Sequence, residues 1–137
     1  MRRIRIGSAV TALETGPLWD STALFITWDD CGCFYDHVAP PAGSGLGIRV
    51  PLLIVSPYAK AGFTDSTTAS FDSITRYAEE VLGIPSMGAG DATAYDFADS
   101  FDYSQRPLAP ARMVTSQIPA WEVAWIRAHP PDPNDAT

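Results

Sequence analysis

Residues 22–38, TALFITWDDCGCFYDHV, join an apolar run to a cluster of side chains that can bind metal ions. The run TALFITW is short, rich in β-branched and aromatic residues, and apolar on both faces, which predicts a buried β-strand. Asp29 and Asp30 follow it directly, and Asp36 with His37 comes six residues later. Because ligands in open α/β sheets gather at the carboxyl ends of strands, this stretch is the first candidate for a functional site.

A second apolar run and several helical patterns surround this stretch. Residues 49–57, RVPLLIVSP, predict a second fully buried strand. Apolar residues at helical spacing predict helices over residues 4–15, 71–82, around 92–100 and over 120–129. Ser70 or Asp72 is suited to cap the helix that begins at 71, and Gly83 is suited to end it. The order of strands and helices predicts the α/β fold class.

Two strands that are apolar on both faces do not make a finished sheet, because each leaves an open edge and uncovered surface. We therefore predict an incomplete central sheet, in a chain that is part of a larger α/β domain or half of an assembly. At ~25 cal/mol per Å² of apolar area, a half-covered sheet forgoes several kcal/mol, comparable with the stability of a whole domain. The isolated chain is accordingly expected to form oligomers or to aggregate.

Composition excludes some classes of partner. The 137 residues carry a net charge of −7, which argues against nucleic acid, because that partner requires a cationic surface. The longest apolar runs are far shorter than the ~20 residues of a transmembrane segment, so none is predicted. The N-terminal stretch is interpreted as mature protein rather than a signal peptide, because Glu14 interrupts its apolar part. Two cysteines at i and i+2 leave the compartment undetermined.

Asp29 and Asp30 form the main candidate site. Adjacent carboxylates repel each other, and a bound cation that contacts both relieves the repulsion. Oxygen ligands favour hard divalent ions, and carboxylate with imidazole also suits zinc, manganese or iron. Asp36 and His37 can return toward the same place across a tight turn at Gly32. The alternative is a solvated acidic loop, which is common in proteins.

Other reactive side chains support weaker hypotheses. Cys31 and Cys33 with His37 suggest a thiolate zinc site, although the usual C-x₂-C spacing is missing and small residues in a tight turn are the simpler interpretation. Ser56 follows the second strand, but it lacks a G-x-S-x-G context, which favours a structural serine over a nucleophile. His129 lies among prolines and is assigned no role.

The order of the motifs resembles a known family. The segments LWDSTALFITWDDCGCFYDHVAPP, GLGIRVPLLIVSPYAKAGFTD and SITRYAEEVLGIPSMGAGDATAYDFADSFDY follow one another without a large gap over residues 7–103. Together they resemble the C-terminal part of the phosphoesterase family, which includes bacterial non-specific phospholipases C and related acid phosphatases. The family is related to the alkaline phosphatase superfamily.

The resemblance implies an alkaline phosphatase-like α/β/α sandwich that hydrolyses phosphate esters or phospholipids at a divalent metal ion. It implies that Asp29 and Asp30 are metal ligands, and that Asp36 and His37 are catalytic groups beside them. Residues 1–104 would be the C-terminal portion of a phosphoesterase domain, followed by a Pro-rich connector, short helix and polar tail over 105–137. Further ligands and the hydroxyl nucleophile are expected outside this chain, and family members are often exported.

Two departures from the family pattern stand out. The residues after the aspartate pair are Cys31-Gly32-Cys33, where the family usually has glycine or aromatic residues, and Ser66 occupies a position where many members have histidine. The resulting prediction is a metal-dependent phosphoesterase present as a partial C-terminal segment. The alternatives are a catalytically inert fragment and a small metal-binding module built from Asp29, Asp30, Cys31, Cys33 and His37.

Overall fold

The computed structural model describes residues 6–28, 38–111 and 118–129. Its α-helices and strands are α1 (Ile6–Glu14), β1 (Leu24–Thr27), β2 (Leu52–Val55), α2 (Phe71–Leu82) and α3 (Ala120–Ala128). Three short 3₁₀ helices cover Trp19–Ser21, Gly90–Thr93 and Ala98–Ser100. Mixed helix and strand confirms the α/β fold class at this level, and the α/β/α sandwich stays a prediction.

The two predicted strands are present and form one antiparallel pair. Leu24 lies opposite Val55, and Thr27 lies opposite Leu52. Neither strand is fully buried, which contradicts the prediction: every residue of β1 is half-buried and Leu53 in β2 is 54% exposed. The reason is that the described part of the chain supplies only two strands and leaves part of their surface uncovered. Antiparallel pairing also puts the carboxyl ends of β1 and β2 at opposite ends of the sheet.

Aromatic side chains make the core beside this sheet. Phe25 of β1 meets Tyr77 of α2 edge-on, with ring centroids 5.0 Å apart. Tyr77 stacks on Phe101 at 4.8 Å, and Phe101 stacks in turn on Tyr103 at 5.6 Å. Phe97 and Phe101 are buried. Offset and edge-on aromatic pairs add to the stabilisation from area burial, so this cluster is what joins β1, α2 and the segment after residue 94.

The helix predicted over 71–82 is confirmed with its ends. The Oγ of Ser73 accepts a hydrogen bond from the backbone N of Ser70 (3.1 Å), and Gly83 ends the helix in the left-handed conformation (φ 66°). The helix predicted around 92–100 is wrong. Two 3₁₀ helices flank Phe97, whose φ of 59° is incompatible with a continuous right-handed helix.

The predicted N-terminal helix is confirmed as α1 and packs on the segment around residues 108–111. Buried Glu14 accepts a hydrogen bond from the backbone N of Ala111 at Oε1 (3.0 Å), and the indole N of Trp19 donates to the carbonyl of Leu108 (3.1 Å).

The predicted helix near the C-terminus is also present, as α3. It has no buried residue, and Trp121 and Trp125 are both exposed. None of the helices over the described ranges is long and apolar enough to cross a lipid bilayer.

Candidate functional site

An open cleft of about 1000 Å³ lies at the end of the sheet where β1 finishes and β2 begins. Its walls come from the end of β1, most of β2, and two loops over residues 38–50 and 59–71. Much of the lining is apolar, and polar groups are concentrated on the second loop. The apolar side chains include Leu46, Ile48, Val50, Leu52, Phe63 and Phe71.

Two residues that flank the predicted metal ligands in the sequence line the cleft. Thr27, two residues before Asp29, and Val38, directly after His37, both line it. The predicted site residues themselves lie outside the described residues: Asp29, Asp30, Cys31, Cys33, Asp36 and His37. Across residues 6–28, 38–111 and 118–129, no group of three or more His, Cys, Asp or Glu side chains forms a metal-binding cluster.

Asp65 organises the polar wall of the cleft. Its Oδ2 accepts hydrogen bonds from the hydroxyls of Tyr95 (2.7 Å) and Ser100 (3.0 Å), and its Oδ1 accepts one from the backbone N of Thr67 (2.9 Å). Tyr95 and Ser100 lie 30 and 35 residues further along the chain. The carboxylate therefore fixes the loop around residue 65 against the segment 95–100.

The hydrogen bonds decide the charge state of this wall. Burial raises the pKa of Asp65, but the hydrogen bonds from Tyr95, Thr67 and Ser100 together outweigh burial, and the pKa lies below its ordinary value. Burial and the bond to Asp65 raise the pKa of Tyr95 to about 12. The pair is consequently an ionised carboxylate bound by a neutral phenol, a donor–acceptor arrangement that stays unchanged around neutral pH.

Lys60 adds a positive charge to the same wall. Its Nζ donates to the backbone carbonyl of Asp99 (2.7 Å) and lies 5.4 Å from the ring centroid of Phe63. Its backbone N donates to the carbonyl of Ser100 (3.0 Å), next to the bridge between Ala59 and Phe101. The segment 99–101 thus fixes both the backbone of Lys60 and the ammonium group at the end of its side chain.

Ser56 does not line the cleft, although the backbone N of Ala59, which does, donates to the Ser56 carbonyl (3.3 Å). It is buried after β2, at the opposite end of the strand pair from Thr27, and its hydroxyl accepts a hydrogen bond from the backbone N of Tyr58 (3.2 Å). This turn geometry fits the structural role favoured by the sequence. His129 is exposed, with its ring stacked on that of Trp125, and Ser66 is exposed on the cleft wall.

Sequence reasoning missed Asp65, Tyr95, Ser100 and Lys60. A local signal existed only for the turn that Asp65 makes with Thr67, because aspartate often accepts a hydrogen bond from the amide two residues on. Nothing in the spacing indicates that residues 95 and 100 return to residue 65.

Comparison with known proteins identifies the family. The model of the Phosphoesterase family matches residues 4–85, so the chain belongs to this family and the predicted resemblance is confirmed. A non-hemolytic phospholipase C of Burkholderia pseudomallei is 35% identical over 103 residues, covering 54% of this chain and 15% of that protein. Non-specific phospholipase C6 of Arabidopsis thaliana is 30% identical over 78% of this chain and 26% of its own length.

Phospholipase C B of Mycobacterium tuberculosis is 28% identical over 76% of this chain and 26% of its own length. The chain therefore spans about a quarter or less of these relatives.

Proposed function

We propose that this chain forms part of a metal-dependent phosphoric ester hydrolase, with the cleft as the place where the substrate binds. One observation carries the proposal: in a member of the Phosphoesterase family, Thr27 and Val38, which flank the predicted ligand cluster, both line the cleft. The segment that holds Asp29, Asp30, Asp36 and His37 thus begins and ends at the same cavity.

The donor set suits a divalent metal ion. Asp29 and Asp30 would hold the ion through carboxylate oxygens, which hard divalent cations prefer, and Asp36 and His37 would act beside it. When bound, such an ion polarises a phosphoryl oxygen and lowers the pKa of a hydroxyl or water nucleophile. The wall around Asp65 would hold the neighbouring loop in place while the substrate binds.

The lining of the cleft is compatible with a substrate that is both charged and apolar. The relatives are named phospholipases C, and their substrate class comes to this chain only as part of the proposal. Apolar side chains would accept acyl chains, and the polar loop over 60–70 would face the phosphate ester. We propose phospholipids, or other phosphate esters with an apolar group, as substrates.

We further propose that groups outside residues 1–137 complete the catalytic site. The support is that the relatives are several times longer than the aligned part, and that Ser56 is buried and does not line the cleft. Groups that act as a unit lose orders of magnitude in rate when one is missing. Residues 1–137 alone should show no turnover of p-nitrophenyl phosphate or of a chromogenic phosphocholine ester.

Metal binding tests the proposal directly. Calorimetric titration with manganese, calcium and zinc should detect binding to the wild-type chain and none to the Asp29→Asn, Asp30→Asn double variant. The Asp20→Asn, Glu80→Gln double variant removes the same charge from exposed positions outside the cleft lining and should bind like wild type. Equal binding by all three proteins would remove the aspartate pair from the site. Loss of binding on Cys31→Ser, Cys33→Ser would favour the metal-binding module instead.

A hydrolysis assay tests whether groups outside residues 1–137 complete the catalytic site. Adding the preceding part of a close relative should generate turnover, and that turnover should disappear with the Asp29→Asn, Asp30→Asn variant. Turnover by residues 1–137 alone that Ser56→Ala abolishes would contradict the division of the site.

We also propose that the isolated chain self-associates, because half-buried strands and exposed apolar side chains such as Leu53 and Leu82 leave surface to be covered. Size-exclusion chromatography with light scattering should find species larger than the 14.8 kDa chain. A monomer at micromolar concentration with a sharp thermal transition would contradict this.

A further inference from the structure

Lys60 is the single lysine of the chain, and its side chain is exposed but fixed by contacts at its ammonium group. The carbonyl of Asp99 accepts one ammonium proton at 2.7 Å, and the ring of Phe63 lies beneath the charge at 5.4 Å. The backbone N of Lys60 is held by Ser100. An ammonium group has three protons, and the bond to Asp99 uses one of them, which leaves donor capacity for a ligand.

The cleft lining carries charges of both signs. Its described residues include the cations Arg49 and Lys60 and the carboxylate Asp65. The chain as a whole has a net charge of −7. The oxygens of Asp65 accept three hydrogen bonds from its own surroundings, as described above. Lys60 is therefore a cation in the lining of this cleft, and the carboxylate of Asp102 is near enough to interact with it electrostatically.

We propose that Lys60 binds an anionic phosphate group of the ligand in this cleft. Exposed hydroxyls of Thr64 and Ser66 line the same wall and supply neutral donors for the remaining phosphate oxygens. A charge-assisted hydrogen bond from an ammonium to a phosphate oxygen is about twice as strong as a neutral one. The choice of phosphate as the anion rests on the proposed function, whereas the placement of Lys60 in the cleft does not.

The single lysine makes a direct test practical. The full chain is treated with an amine-acetylating reagent in EDTA, with inorganic phosphate or with chloride at equal ionic strength, and modification is followed by mass spectrometry. Phosphate should slow acetylation of Lys60 several-fold and leave the amino group of Met1, the internal control, unaffected. Equal rates at Lys60 in phosphate and chloride would overturn the proposal.

Variants test the charge itself. Lys60→Met should weaken phosphate binding by roughly tenfold or more, the range expected for one hydrogen bond to a charged group, and Lys60→Arg should largely retain it. Arg76→Met is the matched control, because Arg76 pairs with Glu80 on α2 and does not line the cleft. Wild-type affinity in Lys60→Met would overturn the proposal. If Lys60→Met fails to fold by circular dichroism, protection of the wild-type lysine and the affinity of Lys60→Arg decide.

Phosphocholine and glycerophosphocholine distinguish a site for a free phosphate or monoester from a site for a lipid headgroup. Protection by phosphocholine and inorganic phosphate but not by glycerophosphocholine indicates a site for a free phosphate or monoester. Protection by glycerophosphocholine as well indicates a site for the diester headgroup of a lipid. Because the assay uses EDTA and no turnover, protection without any hydrolysis in the completed enzyme would reject the proposed function alone. Hydrolysis without protection would reject only the role of Lys60.

Discussion

Two aspartates, Asp65 and Asp91, are bound by the same kinds of donor in two different regions. Asp91 is 1% exposed and accepts hydrogen bonds from the hydroxyl of Ser86 and the backbone N of Met87 and Ala89, all within five residues. Asp65 is half-buried on the cleft wall and is bound by residues 30 and 35 positions away. The first aspartate folds a local turn against Glu79 of α2, whereas the second joins segments that are 30 or more residues apart. Hydrogen bonds to a carboxylate thus stabilise a turn at residues 86–91 and the wall of the cleft at Asp65.

Acid should affect both regions at once and give the largest effect. The hydrogen bond from Ser86 is the main cause that lowers the pKa of Asp91, from 3.8 to about 2, and the pKa of Asp65 is also lowered. A carboxyl whose pKa is lower in the folded state stabilises the fold above its unfolded pKa and loses this contribution as pH falls. The melting temperature should therefore drop steeply between about pH 4 and pH 2.

A control for the acid experiment is Asp91→Asn, which has no carboxyl to titrate. Its melting temperature at neutral pH should be lower than that of wild type, and the difference should shrink as the pH falls toward 2. A constant difference across this range, followed by circular dichroism, would show that Asp91 does not contribute to the pH dependence.

Asp91→Ala should be the most damaging single change of the comparison. It removes the acceptor of three donors from a buried position and leaves the backbone N of Ala89 without its side-chain partner. Hydrogen exchange should increase at residues 86–91 and along the C-terminal half of α2, which the turn follows, while the global melting temperature falls. Unchanged exchange at these amides would contradict the role assigned to Asp91.

Asp65→Ala should cost less and act at longer range. Loss of an acceptor for two hydroxyls and one amide is expected to reduce the free energy of unfolding by roughly 1–3 kcal/mol. Exchange should increase both near residue 67 and near residues 95–100. Asp72→Ala, an exposed aspartate in the first turn of α2, is the control and should leave the 95–100 segment unchanged. Increased exchange only near residue 67 would show that Asp65 does not connect the two segments.

The smallest effect is expected from Tyr95→Phe, which removes one hydroxyl donor and keeps the ring packed on Phe97. The free energy of unfolding should fall by about 1 kcal/mol, because Asp65 keeps its bonds to Ser100 and Thr67. Chemical denaturation measures this. A change as large as that of Asp65→Ala would mean that the tyrosine hydroxyl alone holds the two segments together.

The comparison also explains what the sequence predicted. The helix α2 and its Gly83 end depend on neighbouring residues and were predicted correctly, and of the two caps considered, Ser70 and Asp72, the structure has Ser70. The strands were predicted too, but not their incomplete burial, because the cover of a strand depends on distant parts of the fold. The continuous helix around 92–100 was wrong, since the left-handed Phe97 is held by contacts with Phe25 and Tyr95 that periodicity does not report.

The candidate site follows the same rule. The aspartate pair at Asp29 and Asp30 was recognised from its neighbours in sequence and from the family resemblance, and it stays a prediction outside the described residues. The cleft wall was not predicted. Lys60 and Asp65 are held in this wall by contacts with residues 95–101, which are distant in sequence. A motif of neighbouring residues can be predicted from a single sequence, whereas a surface assembled from separated segments cannot.

The bonds between residues 57–60 and residues 100–108 have a consequence for synthesis of the protein on the ribosome. Lys60, Tyr58 and Pro57 are paired with Ser100, Asp102 and Leu108, respectively, through backbone hydrogen bonds. A nascent chain that has emerged only as far as α2 can form that helix, whose backbone hydrogen bonds are local, but it has no partner for the segment that follows β2 at residue 57. The cleft is therefore completed late in translation, when the segment beyond residue 100 has left the exit tunnel and closed a loop of some forty residues.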